Sequence, residues 1–581
     1  MSCIALSRSG KYLASGQVTY MGFTAPVLLW DLETLEVVHK MDLHKVKVQA
    51  LSFSPDDPST GQPRFLASLG GQDDNSLVLW EVETGAALCG SPTHNDFTVA
   101  VQFFTHDPKR VVTCGNYNLD VWEYDETINK LKATSVNLGS RSRIFTALTV
   151  DDSDQYAYVG SSTGDIMKIS LSRNLMRAQG PARGLIEKGV VSMAVAPDGM
   201  LLVGGGTGAL AIASASSDAP KIPVLAAHQV GQSGISSISV DSGSWDGRTY
   251  TAFVATADCD MYRVVVEAGT GRLASELVQT AHRGPVNCLA FPYEYSECFA
   301  TAATEEVRVW HLDTCRELLR ICVPNVDCQA VAFTDDGKLL LSGWSDGKIR
   351  AFGPQTGRLV WTIHDAHPKG VTAITSTSDS RFCVSGGGEG TVRVWSMGRD
   401  KQALVASMKE HKGAVVTLAM RNSSDEECVS ASADGSCIVW DLATMKRRVA
   451  LQANTMFKGI AYHPDDSQLV SCGTDRKLTY WDTFDGQPIR IIDGSDSSEV
   501  TALCMDAGGS LLVSGSGDKQ VRLWHYDDSI CTHVGTGHSG AVTGVLVAPD
   551  RSRIVSVGAE GGVFVWDRPE EHAEGGAEEA A

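Results

Sequence analysis

The sequence predicts an all-β chain folded as two tandem β-propellers, and three observations carry the prediction. Short apolar runs alternate with Gly, Asp, Asn and Pro turn residues, and no long helical period interrupts them. A strand ending returns at Trp30, Trp80, Trp122, Ile169, Ile212, Val264, Trp310, Phe352, Trp395, Trp440, Trp481, Trp524 and Trp566, at intervals of 41 to 52 residues. That interval fits a four-stranded propeller blade and is too long for helical repeats of about 33 or 34 residues. Thirteen such units exceed the roughly four to eight blades of one ring, so at least two rings are required.

The repeating unit is clearest at residues 411–442, HKGAVVTLAMRNSSDEECVSASADGSCIVWDL. Apolar runs at 415–420 and 427–431, a turn at Asp434-Gly435 and a third run ending at Trp440-Asp441 read as consecutive antiparallel strands. His411, Ser432, Asp434 and Trp440 stand where a WD40 repeat keeps a buried hydrogen-bonded tetrad, each donor or acceptor satisfying a neighbour. A His-Ser-Asp set is also what a hydrolase triad needs. The architectural reading is preferred because the same positions in sister repeats hold Gly, Thr or Glu.

The chain has 581 residues, of which 43% are hydrophobic, enough for ordinary packed cores. A net charge of −20 disfavours nucleic acid and membrane surfaces as partners, since both need clustered Lys and Arg. Lys446-Arg447-Arg448 reads as a short solvated run. The fifteen cysteines are scattered without a Cys-x-x-Cys pair, as expected of reduced thiols. No apolar run approaches the roughly 18 residues of a membrane span, and MSCIALSRSG lacks a signal-peptide layout. A cytosolic compartment follows, in which the Asn422-Ser423-Ser424 sequon carries no meaning.

Residues 2–16 (SCIALSRSGKYLASG) align without a gap on 501–515 (TALCMDAGGSLLVSG), so the chain is expected to begin at a first strand, with the first ring lacking a blade. From about 141 to 264 the repeats degenerate: tryptophan is lost from the third strand while the alternation survives. The junction is placed at 267–271 (EAGTG), with 273–280 (LASELVQT) lent to the last blade of the second ring. The expected domains are therefore a first propeller at 1–267, a seven-bladed second propeller at 268–568, and an acidic disordered tail at 569–581.

Little in the sequence looks catalytic. Residues 204–209 (GGGTGA) fit a dinucleotide pattern by letter, but a strand follows instead of a helix, and 386–390 (GGGEG) is another hairpin turn. No metal-binding, cofactor or nucleophile pattern has the required spacing, so no catalytic, cofactor or metal residues are expected.

Residues 7–31, 317–325 (ELLRICVPN), 345–359 (SDGKIRAFGPQTGRL), 385–395 (SGGGEGTVRVW) and 451–486 carry a more specific signal. They closely resemble the cilia- and flagella-associated protein 52 family, also called WD repeat-containing protein 16, and the similarity runs over nearly the whole chain. The resemblance implies two seven-bladed rings and a place as an inner protein of the axonemal doublet microtubule, in the B-tubule lumen. It also implies tubulin and other doublet microtubule inner proteins as partners, and a non-catalytic bracing role in motile cilia and flagella. The family's N-terminal segment is missing here, and the acidic tail lies outside the resemblance. A soluble cytoplasmic WD40 adaptor is the alternative, because the fold alone serves both.

Overall fold

Alternating side chains between turn residues produce strands almost exclusively: among the described residues the helical structure is one 3-10 turn, Ser242–Ser244. The computed structural model describes residues 2–569 apart from 21, 94–96, 140, 182–184, 215–220 and 399–400. No helix among them is long and apolar enough to cross a membrane. The predicted acidic tail lies outside the described residues apart from Pro569.

Each blade is an antiparallel meander. In the blade around Trp440, Val415–Met420, Glu427–Ser432, Ser436–Asp441 and Lys446–Gln452 are hydrogen-bonded neighbours in that order. Gly435 closes the turn between the second and third strands with φ 86°, a conformation that costs a β-carbon dearly. The fourth strand slips by one residue beside the tryptophan, between Val439 and Trp440, a bulge that sharpens the twist.

Every predicted ending lies on such a third strand. Blades are numbered here 1 to 13 in chain order. One sheet holds blades 7 and 8 together, because Cys298–His311 and Glu317–Phe333 each continue through what are two strands elsewhere.

The chain divides into two compact units, Met1–Thr280 and Ala281–Ala581. This corrects the expected boundary at 267. The strand Arg272–Thr280 pairs along its length with Asp260–Glu267 and completes blade 6 of the first unit, so it is not lent to the second. The physical reason is local: a tight turn at 268–271 makes a hairpin with the preceding strand the nearest way to satisfy its backbone.

The second unit closes on itself by packing. Val286, Leu289, Phe299 and Trp310 of blade 7 share a core with Ala548, Val555 and Val557 of blade 13. Thr543 Oγ1 of blade 13 donates to the Val286 carbonyl at 2.5 Å, and Asp550 N donates to Ser296 Oγ at 2.9 Å. Similar bonds join neighbouring blades elsewhere: Asn287 Nδ2 to Cys328 O at 2.8 Å, Thr372 Oγ1 to Val415 O at 2.5 Å and Thr417 Oγ1 to Lys458 O at 3.0 Å. Blades press together where a β-carbon has no room. One on Gly386 would lie 2.5 Å from Val415 Cγ1 of the next blade. Blade 13 has three strands among the described residues.

The first unit contains blades 1 to 6, packed in series through five apolar clusters.

Candidate functional site

The most elaborate side-chain chemistry lies inside the blades. In blade 10 the Trp440 indole, which can only donate, bonds Ser430 Oγ at 2.8 Å. The serine proton therefore points to His411 Nε2, 2.7 Å away. That leaves the imidazole hydrogen on Nδ1, which donates to Ser436 Oγ at 2.8 Å, and Ser436 donates in turn to Asp434 Oδ1 at 2.6 Å. Asp434 Oδ2 accepts the Lys412 backbone N–H at 2.7 Å. The two ends of the chain, a pure donor and a pure acceptor, set the direction of every bond between them.

His411, Asp434 and Trp440 of the predicted tetrad meet in this network, but Ser432 does not supply its hydroxyl. That role belongs to Ser430; Ser432 Oγ instead accepts the Asp434 N–H at 3.2 Å. Both serines are fully buried on one strand, two residues apart and so on the same face, which makes them alike in the sequence. The signal that separates them is the distance to the tryptophan. Ser385, Ser430, Ser471, Ser514 and Ser556 each accept an indole N–H from a tryptophan ten residues later.

The arrangement recurs with substitutions. His44 joins Ser68 and Asp74, His282 joins Thr301 and Glu306, His367 joins Ser385 and Glu389, and His538 joins Ser556 and Glu560. Blade 8 moves the indole: Phe352 ends the third strand, while Trp344 on the second strand donates to Ser342 at 2.8 Å. Blades 4 and 6 have Ile169 and Val264 at the tryptophan position and blade 5 has Ala213, all buried in apolar clusters; the expected ending Ile212 lies one residue earlier and faces blade 6.

Burial pushes His282, His367 and His411 below the ordinary imidazole range, against the pull of the adjacent carboxylates. Burial also opposes charge on Asp434, yet the bonds from Ser436 and Lys412 outweigh it and bring the carboxyl down to about 2. A neutral imidazole donating toward an ionised carboxylate is the resulting state. Geometrically this resembles a Ser-His-Asp relay, but Ser430 is sealed at 0% exposure with its hydroxyl bonded to both Trp440 and His411. A substrate atom has no approach to it.

The glycine-rich stretches are turns, as expected. Gly208 N bonds Gly205 O between the strands Met200–Gly205 and Ala209–Ser214, and Gly390 N bonds Gly387 O. No group of three or more His, Cys, Asp or Glu suited to a metal is present among the described residues. All fifteen cysteines are unpaired.

The WD domain, G-beta repeat family matches residues 320–352, 357–396, 402–441, 451–482, 486–525 and 529–567, all in the second unit. Over the whole chain, a cilia- and flagella-associated protein 52 from Chlamydomonas reinhardtii is 56% identical across 567 residues, 98% of this chain and 89% of the relative. The chain belongs to the cilia- and flagella-associated protein 52 family. Members named cilia- and flagella-associated protein 52 from Bos taurus and Homo sapiens are each 41% identical across 574 residues, with 98% of this chain and 88% and 89% of the relatives covered. As a member of the cilia- and flagella-associated protein 52 family, the chain carries WD40 repeats that the repeat family matches from residue 320 onward. The marker tryptophans are missing from blades 4 to 6.

Proposed function

We propose that the protein is a non-catalytic structural component of motile cilia and flagella, an inner protein of the doublet microtubule that braces the tubulin lattice from the B-tubule lumen. The observation that carries the reading is 56% identity over nearly the full length to a protein named for cilia and flagella. The physical features agree with a brace. Blades 2, 7, 9, 10 and 13 are bolted internally by buried histidine networks, and neighbouring blades are joined by bonds such as Thr372 to Val415 and Thr543 to Val286. A pre-ordered ring loses little conformational freedom when it binds neighbours. Its partners in this reading are tubulin and other lumenal proteins.

The test is a density map of doublet microtubules from cilia with and without this chain. Density in the B-tubule lumen that disappears with the gene supports the reading. An unchanged lumen, with the protein washed out by detergent, would replace it with the soluble adaptor reading.

A further inference from the structure

Blade 4 has no tryptophan on its third strand, Ile166–Ser170. A cavity of about 590 Å³ opens between blades 4 and 5, with Arg141, Arg143, Asp165 and Lys221 on its polar side and Leu185 and Ile222 on its apolar side. Asp165 is already engaged. It accepts bonds from Ser161, Thr163 at 2.5 Å, Gln179, and Arg143 Nε at 3.1 Å. Burial opposes its charge, but these donors prevail and hold its carboxyl at about 2, so it stays an anion matched to Arg143.

Arg141 and Lys221 remain. Both are exposed, and among the described residues neither has a recorded carboxylate partner; Arg141 Nη1 instead lies 3.1 Å from Met176 Sδ. Cations that face a cavity with no carboxylate partner among the described residues stand out on a chain of net charge −20. Such cations favour an anionic guest. The volume is within the range of small-ligand sites and far above the roughly 30 Å³ of a water molecule, more room than a lone inorganic anion needs. The Leu185 and Ile222 walls would go unused by such an ion.

We propose that this cavity binds an acidic peptide segment of a partner protein, with glutamate or aspartate side chains on Arg141 and Lys221 and an aliphatic neighbour against Leu185 and Ile222. Such binding is a property of the purified chain and does not depend on where in the cell it resides.

The experiment uses the full chain and a fluorescein-labelled peptide, Glu-Leu-Glu-Glu-Leu-Glu, followed by anisotropy. Saturable binding is expected, weaker at 300 mM than at 50 mM salt because the contacts are screened. The Arg141→Glu/Lys221→Glu variant should bind at least roughly tenfold more weakly, the loss of two charge contacts and their reversal. Arg141→Lys/Lys221→Arg should keep binding, as should Lys446→Glu/Arg447→Glu in the second unit. All variants should melt with the parent. Equal affinity in the charge-reversed variant would overturn the proposal, as would equal binding of a peptide with Lys in place of Glu. Displacement by a few millimolar inorganic phosphate would also overturn it, reassigning the cavity to small anions.

Discussion

Blade 10 and blade 5 share one topology and differ in how they are held. Blade 10 threads Trp440, Ser430, His411, Ser436 and Asp434 into a buried polar chain. Blade 5 puts Ala213 in the tryptophan's place, among Leu201, Ala211 and Ile222, and packs Leu202, Leu210 and Ile212 on its other face. Each is a four-stranded antiparallel sheet, and each slips register by one residue against its fourth strand, after Val439 in one and Ile212 in the other. The network therefore does not create the blade. Alternation and turns do that, and the network adds a single, directional arrangement that a greasy interior leaves unspecified.

The largest test of that comparison removes a large core side chain from each. Trp440→Ala should cost about 3–5 kcal/mol, from lost burial and a cavity, with Ser430 losing its donor as well. Ile212→Ala should cost about 2–5 kcal/mol by cavity formation alone. Hydrogen exchange of the amides in Glu427–Ser432 and Met200–Gly205 reads the two blades separately. If Ile212→Ala leaves its blade unprotected while Trp440→Ala barely changes exchange, the polar chain contributes no rigidity.

Next comes the choice between two serines. Ser430→Ala strands the Trp440 N–H and His411 Nε2 in a buried slot and should cost about 1–3 kcal/mol. Ser432→Ala removes one 3.2 Å bond from a backbone N–H and should cost less, about 0.5–1.5 kcal/mol. Equal losses in urea unfolding would restore Ser432 to the tetrad.

That pair of residues also marks where the sequence stops being legible. The blade period, the third-strand endings and the hairpin turns could be read directly, because each follows from local spacing. Ser430 and Ser432 differ only in which cross-strand neighbour they reach, a three-dimensional fact that becomes visible in one dimension only after several blades reveal the ten-residue offset. The junction failed for a related reason. Residues 273–280 can pair with the strand before them or serve a distant blade, and strand composition is the same for both. The cavity between blades 4 and 5 had no sequence signal at all, since Arg141, Lys221 and Leu185 come from loops of two different blades.

Acid separates the two kinds of blade by another route. His282, His367 and His411 have folded pKa values below the unfolded value of about 6.5. Their neutral forms favour folding, so that stability is complete above about 6.5 and is lost as pH falls toward the folded values. The carboxylate of Asp434 is depressed in the other sense, and its contribution holds until pH drops below about 3.9 toward 2. Lowering pH from 7.5 to 5.5 should therefore loosen blades 7, 9 and 10 more than blades 5 and 6, which have no histidine in this slot. Hydrogen exchange corrected for its intrinsic pH dependence measures this. Uniform loosening of all five would show that the slot histidines do not govern the response.

The smallest effect is expected where the indole has moved. Trp344 donates to Ser342, but that hydroxyl also gives its proton to the Arg350 carbonyl at 2.9 Å and has no histidine to satisfy. Trp344→Phe keeps most of the buried ring and leaves no partner with an unpaired proton, so the loss should be about 0.5–1.5 kcal/mol. Trp440→Phe breaks the head of a five-member chain, and exchange in its blade should rise further. If the two substitutions cost the same, bonds beyond the serine add nothing to the first one, and blade 10 is held no more tightly than blade 8.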